Sequence, residues 1–417
     1  MQPTSESSSI TLPLPSRRLS KNRKPDECPE LSCSQTGFGV CSAAVETKVI
    51  KLDADNVDAA AIKEAAGVID AGGLVAFPTE TVYGIGCRVS NDSLARLDQL
   101  KDRPADKCYS LHIADVSDVF RYVPTVGLRA KKLVKNAWPG PLTIVFELDD
   151  KDIEQQKAGL APEVFNNLYC DGSIGIRCPD NPIASLLLTR TQSPVVAPSA
   201  NVSNQAPAAE AGQVVKQFAG RLEMVLDGGH CKYKTSSTVV KMSKTGLEIL
   251  RQGVYSEPQL LEMAQVTVLF LCTGNSCRSP MAEGLFKKYL AEKMHCPVDR
   301  LEEKGYIVVS AGTLGMVGFP ASSEAVRTCA AKGIDISNHR SRALSRHLIE
   351  QSDIVFALAG VHRDAVVGIS PAAADKCLLL AEGADIPDPI GQSQATYDSC
   401  AQRIDGAVRK RISEMVL

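Results

Sequence analysis

The stretch Val266-Thr-Val-Leu-Phe-Leu-Cys272 runs straight into Thr-Gly-Asn-Ser-Cys-Arg-Ser-Pro280. An apolar run of strand length, a loop of small polar residues and a Pro suited to the first turn of a helix define a strand–loop–helix unit. Its strand, predicted over Val266–Leu271, carries no alternation, so it is buried on both faces. The rhythm repeats: further strands are predicted at Tyr306–Val309, Ile354–Leu358 and Cys377–Leu380, and helices over 280–294, 322–333, 341–351 and 393–415. Alternating β and α with doubly buried strands predicts a small doubly wound parallel sheet, whose active site lies at the carboxyl ends of its strands.

The preceding 200 or so residues also read as α/β, with a different rhythm. Helical periodicity over Val57–Ala71 stops at Gly72-Gly73, and Leu74–Phe77 reads as a buried strand. Strands follow at Leu142–Glu147, Ser173–Arg177, Val195–Ala197, Met224–Leu226, Ser237–Met242 and Glu248–Arg251, with helices over 91–101, 181–190 and 208–218. No repeat relates the two regions. The expected organisation is a disordered tail over 1–46, one domain over 47–256, a linker over 257–265 and a second domain over 266–417. The tail holds nine Ser and five Pro, too little apolar surface to offset the entropy of ordering. Its Cys28, Cys33 and Cys41 fit no standard zinc spacing, so no metal site is expected.

Composition narrows the functional classes. Lys+Arg at 46 against Asp+Glu at 48 excludes a globally polycationic nucleic-acid binder but allows local basic pockets. No apolar run approaches the ~18 residues of a membrane span. Residues 1–30 lack the apolar core of a secretory signal. The 14 cysteines form no dense framework, so free thiols and a cytoplasmic location are expected.

The loop Cys272–Ser279 carries the sharper chemistry. A loop between strand and helix turns backbone N–H groups toward one point and adds the positive end of a helix, which makes an oxyanion cradle. Gly274 allows the turn, Ser279 suits an N-cap, and Arg278 offers a planar fork to two phosphate oxygens. Such a field favours the thiolate of Cys272, making it a nucleophile. A phosphatase also needs an acid for the leaving group, and Asp388-Pro389 lies in a turn after the last predicted strand, with Asp385 as the local competitor.

In the first region no Gly-x4-Gly-Lys-Ser/Thr loop occurs, and no Gly-x-Gly-x-x-Gly follows a strand, so any phosphate there is handled by side chains. Polar clusters close several strands and helices: Phe77-Pro-Thr-Glu-Thr-Val-Tyr-Gly-Ile-Gly86, Lys101-Asp-Arg103-Pro104, Arg177, and Ala197-Pro-Ser199-Ala-Asn201. Lys101 and Arg103 are expected to be exposed in a cleft. Pattern alone gives a cationic, hydroxyl-rich α/β cleft for an anionic or nucleotide ligand. It leaves open an RNA- or nucleotide-binding module without turnover.

Two resemblances go further. Leu271-Cys-Thr-Gly-Asn-Ser-Cys-Arg-Ser-Pro-Met-Ala-Glu283, Ser310-Ala-Gly312 and Asp388-Pro389 resemble the low-molecular-weight protein-tyrosine-phosphatase family over nearly all of 266–417. The resemblance implies Cys272 as a nucleophile forming a phosphocysteine, Arg278 as the phosphate ligand and Asp388 as general acid, then base. It also implies loop support from Asn275 and Ser279, a redox-protective role for Cys277, a phosphoprotein substrate and no tightly bound cofactor. Ile390 stands where tyrosine-specific members often carry an aromatic residue. Ser276 is closer to the small hydroxyl residue of the related protein-arginine phosphatases, so phosphoarginine stands beside phosphotyrosine.

Pro78-Thr-Glu-Thr-Val-Tyr-Gly84, Lys101-x-Arg103-Pro104, Pro198-Ser-Ala-Asn201, Ser236-Ser-Thr-Val-Val240 and Leu250-Arg-Gln-Gly253 resemble the threonylcarbamoyl-AMP synthase family over about 48–255. That resemblance implies a twisted open α/β sheet. It implies condensation of L-threonine, bicarbonate and ATP, with Mg2+ accompanying the ATP, to threonylcarbamoyl-AMP and pyrophosphate. The product then passes to tRNA-modifying machinery that makes N6-threonylcarbamoyladenosine. By motif, Arg103, Lys107, Ser173, Ser199 and Arg251 contact ATP, with Asn201 beside Ser199. Thr81, His112, Arg177, Ala197 and Ser237 frame L-threonine, and Lys101 stabilises charge on the reacting groups.

Overall fold

A computed structural model of the chain describes residues 45–104, 108–243 and 246–416. Most of the predicted tail, with Cys28, Cys33 and Cys41, and the expected ATP contact Lys107 lie outside the described residues. Two sheets organise the rest. The first contains β1 Lys48–Lys51, β2 Val75–Phe77, β3 Gly84–Arg88, β4 Ser110–His112, β5 Leu142–Glu147, β6 Tyr169–Cys170, β7 Ser173–Arg177, β8 Val195–Val196, β9 Met224–Asp227, β10 Thr238–Ser243 and β11 Gly246–Arg251. Their order is β1-β9-β2-β3-β8-β4-β7-β5-β10-β11, with β6 paired to β7. Parallel pairs (β1 with β9, β4 with β7, β5 with β10) alternate with antiparallel ones (β2 with β3, β5 with β7, β10 with β11).

This mixed, twisted sheet carries core on both faces. On one side Val75, Phe77 and Met224 pack against Ile62, Ile69 and Leu187 of the helices Ala59–Asp70 and Pro182–Arg190. On the other, Ile85, Leu111, Ile144 and Ile176 join Leu97 and Leu133 of the helices Asn91–Lys101 and Leu128–Ala137. Strand β3 reads Gly-Ile-Gly-Cys-Arg and has little local strand propensity. A Cβ at Gly86 would lie 2.6 Å from Phe77 Cε1, so the neighbouring ring occupies the volume that a side chain would need.

The second sheet has the order β13-β12-β14-β15, with β12 Val266–Cys272, β13 Tyr306–Gly312, β14 Ile354–Ala357 and β15 Cys377–Leu379. Every pairing in it is parallel. Along β12, Val266, Val268 and Phe270 face the helices Arg278–Lys293 and Gln394–Glu414, while Leu269 and Leu271 face the helix Gly360–Ile369. The run is therefore apolar throughout because two helical layers cover it. Phe270 anchors the first layer, with ring centroids 5.2 Å from Phe286 and 5.5 Å from Phe356.

Three local expectations change. The helix after the loop starts at Arg278 with Cys277 as its N-cap residue, so Pro280 sits inside the first turn, where its missing N–H costs nothing. The helix expected over 341–351 begins only at Arg346. Residues 341 and 342 are instead drawn into long-range backbone bonds, Ser341 N–H to Phe319 O and Gly312 N–H to Arg342 O. The thiols are not all free: Cys108 and Cys170 form a disulfide, joining the end of the loop before β4 to the β6–β7 hairpin. Nine other described cysteines are free, Cys272 and Cys277 among them. Among the described residues no helix is long and apolar enough to cross a membrane.

Two candidate active sites

The first site is a cleft of about 270 Å³ lined by residues of β3, β4, β5, β7, β10 and β11 and by the segment after β8. Of the residues singled out from sequence, Lys101, Arg103, His112, Arg177, Ala197, Ser199, Asn201, Ser237 and Arg251 line it. Thr81 stands behind the wall, fully buried, and accepts from Arg177 NH2 at 2.6 Å. Ser173 is not among the lining residues: it starts β7, four residues before Arg177, and its hydroxyl donates to Cys170 O. Thr79, Tyr83, Ser110 and Thr143 also line the cleft. Sequence reasoning did not single out the last two, which are single hydroxyls in apolar strands.

Each cation is held in its own way. Lys101 closes the helix Asn91–Lys101 and is only 4% exposed, not exposed as expected. Its ammonium donates to the carbonyls of Ser199 and Asn201. Burial, and then the charge of Arg103, lower its pKa to about 8. Arg103 donates to Cys108 O at 2.7 Å, stacks 4.2 Å from the Tyr109 ring centroid and lies 3.6 Å from Asp98. Arg251 donates to Ser237 O at 2.8 Å and to the Ser237 hydroxyl at 3.1 Å, and that hydroxyl is 3.1 Å from Thr143 Oγ1. Burial, with Arg177 nearby, lowers the Arg251 pKa.

Arg177 is the carboxylate-paired member. Its NH2 group meets Glu80 at 2.7 Å as well as Thr79 and Thr81, and Glu80 accepts in turn from Asp180 N–H. Its Nε is buried without a hydrogen-bond partner among the described residues, as is Nε2 of His112. Burial and the Arg177 charge push the His112 pKa down to about 3, so its imidazole is neutral. Close backbone approach shapes the wall below Arg251. A Cβ at Gly253 would lie 2.4 Å from Ser236 O and Thr238 N, which only Gly satisfies.

The second site sits where β12 ends. Cys272 is 3% exposed, and its sulfur lies 2.9 Å from Ser279 Oγ and accepts from Asn275 N–H at 3.3 Å. Asn275 is the keystone. It takes a left-handed backbone (φ 54°), and its amide donates to Ser279 Oγ at 2.9 Å and Ser310 Oγ at 2.8 Å. Its side-chain oxygen accepts from Arg342 N–H and its carbonyl meets His339 Nε2 at 2.7 Å. Because Ser279 Oγ accepts from Asn275, the hydroxyl hydrogen is free to point at the sulfur. Gly312 at the end of β13 lets this loop lie close, since a Cβ there would be 2.8 Å from Thr273 O.

Arg278 is 5% exposed; it donates through NH1 to Ile386 O at 2.9 Å, and through NH2 to Thr273 Oγ1 at 3.1 Å and to Asp388. Of the two competing acids, Asp388 therefore meets the loop arginine. Asp385 instead accepts from Gly360 N–H at 2.8 Å. Cys277 lies 3.1 Å from the Tyr397 hydroxyl. Thr273 and Ser310 stand in the sequence motifs without a role, and His339 and His362, whose Nε2 is 2.9 Å from Thr273 Oγ1, were not singled out from sequence. The two histidines come from segments 64 and 89 residues along the chain from the groups they touch.

These geometries define a chain with two anion-handling centres, a side-chain cleft on a mixed sheet and a Cys/Arg loop on a parallel one. Residues 67–253 match the family model described as telomere recombination, and residues 267–416 match that of low molecular weight phosphotyrosine protein phosphatase. A threonylcarbamoyl-AMP synthase of Cellvibrio japonicus is 31% identical over 168 residues, covering 40% of this chain and 83% of the relative. That of Pyrococcus abyssi is 34% identical over 193 residues, covering 46% of this chain. This chain spans about half the length, 54%, of the Pyrococcus relative. A low-molecular-weight protein tyrosine phosphatase structure from T. tengcongensis is 37% identical, with 36% of this chain and 100% of that one covered, at a TM-score of 0.32. The chain belongs to the threonylcarbamoyl-AMP synthase family and carries, fused behind that domain, a low-molecular-weight phosphatase-like domain.

Proposed function

We propose that the protein is a bifunctional enzyme, with a synthase domain over 47–256, a connector over 257–265 and a phosphatase domain over 266–417. The first domain makes threonylcarbamoyl-AMP and pyrophosphate from L-threonine, bicarbonate and ATP, with Mg2+ entering as part of the nucleotide substrate. The observation that carries this reading is the convergence of Lys101, Arg103, Arg177 and Arg251 on one cleft, where Lys101 and Arg251 are anchored on carbonyls and a hydroxyl rather than on carboxylates. Cations held largely by neutral groups keep their attraction for a triphosphate. The buried orphan nitrogens of Arg177 and His112 supply donors or acceptors for the amino acid. Ser199, Asn201 and Arg251 flank the nucleotide, and Thr81 acts through Arg177 rather than by direct contact. The chemistry needs the threonine carbamate held in line with the α-phosphate while positive charge offsets the transition state, and no covalent nucleophile. The product supplies tRNA-modifying machinery in the cytoplasm. Pyrophosphate release that requires ATP, threonine and bicarbonate together is expected; none above background would overturn the synthase reading. Salt-dependent RNA binding without turnover would favour a binding module instead.

In the second domain, the Cys272 thiolate attacks phosphorus while Asp388 protonates the departing oxygen or nitrogen. Asp388 then deprotonates the water that cleaves the phosphocysteine. The Arg278–Asp388 pairing supports both assignments, because it sets the acid beside the phosphate ligand. Ile390, 62% exposed, offers an apolar but not aromatic rim, and Ser276 lines the loop with a small hydroxyl, which keeps phosphoarginine beside phosphotyrosine as the substrate. Rates on a phosphotyrosyl and a phosphoarginyl peptide of one sequence would separate them.

A further inference from the structure

The phosphate loop holds one buried polar group that the chemistry above does not use. His362, the third residue of the helix Gly360–Ile369, is 1% exposed. Its Nδ1 is buried with no hydrogen-bond partner among the described residues. Its Nε2 lies 2.9 Å from the hydroxyl of Thr273, the residue next to Cys272, and that hydroxyl lies 3.1 Å from Arg278 NH2.

A guanidinium only donates, so one lone pair of Thr273 Oγ1 accepts from Arg278; the hydroxyl meets His362 Nε2 through its own hydrogen or through its second lone pair, according to the tautomer. Burial, followed by the charge of Arg278, pushes the His362 pKa down to about 4 against the opposite pull of Asp388 and Asp385, in keeping with a neutral ring. In either tautomer Nδ1 goes unmet, which is costly in a buried site. Packing alone would be served better by an apolar side chain, so the contact at Nε2 is what the imidazole contributes.

We propose that His362 is a positioning residue of the phosphatase site: its hydrogen bond with the Thr273 hydroxyl holds that oxygen where it accepts from Arg278, and so fixes the guanidinium in its phosphate-binding pose. This rests on the phosphatase reading. The need for a second anchor follows from the resting geometry. Asp388 has to leave Arg278 to deliver its proton, and an incoming phosphoryl group takes over that side of the fork. Thr273 and the Ile386 carbonyl then hold the guanidinium plane.

The test is steady-state hydrolysis of p-nitrophenyl phosphate by the full chain, with inorganic phosphate as competitive inhibitor. In His362→Leu, KM and the phosphate inhibition constant rise about fivefold, ~1 kcal/mol for one hydrogen bond, while kcat changes less. His362→Gln, whose side-chain oxygen reaches the place of Nε2, recovers most of the loss. On a Thr273→Val background, His362→Leu adds nothing further. Unchanged constants in His362→Leu, equal losses in the Leu and Gln variants, or additive losses with Thr273→Val would each overturn the proposal. Should His362→Leu fail to fold, Thr273→Val alone must weaken phosphate by the same factor. If the unaltered protein does not turn over the ester, the phosphatase reading falls. Phosphate affinity by calorimetry in the same variants then judges the relay separately.

Discussion

Raising the pH should weaken ATP binding to the first cleft through one residue, Lys101. Its ammonium is 4% exposed, and burial with the neighbouring Arg103 lowers its pKa from the usual 10.5 to about 8. A bound triphosphate adds negative charge beside it and restores a high value. Above the lower pKa, ATP must then recruit a proton along with itself. At about pH 9 the apparent affinity is roughly tenfold below that at about pH 7, or ~1.4 kcal/mol, and binding takes up most of one proton. Calorimetry in buffers of different ionisation enthalpy measures both quantities.

Stability should move the other way. Between about pH 8 and 10.5 the folded protein has released this proton while the unfolded chain still holds it. The unfolded state binds more protons there, so the unliganded fold gains stability as pH rises, by at most ~3 kcal/mol for a shift of this size. Lys101→Met keeps the length of the side chain and removes the charge, and should abolish both trends while weakening ATP at every pH. The Ser199 and Asn201 carbonyls then lose their donor. ATP affinity that stays flat from pH 7 to 9.5, or that falls equally in Lys101→Met, would refute the reasoning.

Asp388→Asn should lower phosphatase turnover by about 10²–10⁴-fold through loss of the proton donor. The loss should shrink with leaving groups that need no protonation, which a series of aryl phosphates measures. Gly312→Ala places a methyl 2.8 Å from Thr273 O and 3.0 Å from Asn275 N. It should displace the loop and cut phosphatase kcat/KM by roughly 10²-fold, as an ångström of misplacement does, while pyrophosphate release from the other domain persists. Gly305 combines a φ of 83° with a Cβ position 2.6 Å from Arg129 Nε. Gly305→Ala should cost about 1–3 kcal/mol, read as a lower urea midpoint.

What the sequence reveals of this fold follows from how local each determinant is. Strand β12 was predicted to within one residue because two helical layers demand an unbroken apolar run. Strand β3 was missed because its glycines answer to the Phe77 ring on the next strand, a condition with no trace in the segment itself. The helix Leu128–Ala137 escaped notice for a similar reason. Its apolar residues, Ala130, Leu133, Val134 and Ala137, pack on the core of the first sheet, but Lys132 pairs with Asp353 at 2.7 Å and the first amide of the helix donates to Val416 O, so its polar partners lie far along the chain. In the phosphatase-like site, Cys272, Arg278 and Ser279 stand on eight consecutive residues, whereas His339 and His362 arrive only when the parallel sheet aligns the ends of distant strands.

The same distinction separates the two sites physically. In the phosphatase-like loop Asn275 N–H meets the Cys272 sulfur and the one arginine rests against Asp388, so its charge is partly offset in the resting site. The cleft of the first domain gathers side-chain cations and anchors two of them on neutral groups, Lys101 on the Ser199 and Asn201 carbonyls and Arg251 on Ser237, while Arg103 adds the Cys108 carbonyl and the Tyr109 ring to its pair with Asp98. Carbonyl dipoles fix a cation without cancelling its charge, whereas Arg177 is tied to the buried Glu80 carboxylate. A cleft so built has an unspent positive field when empty, suited to a ligand with several negative charges. A chain with 46 basic and 48 acidic side chains can hold that field because its acids lie mostly elsewhere. Net charge is blind to such placement, which is why the motifs, and not the composition, led to both sites.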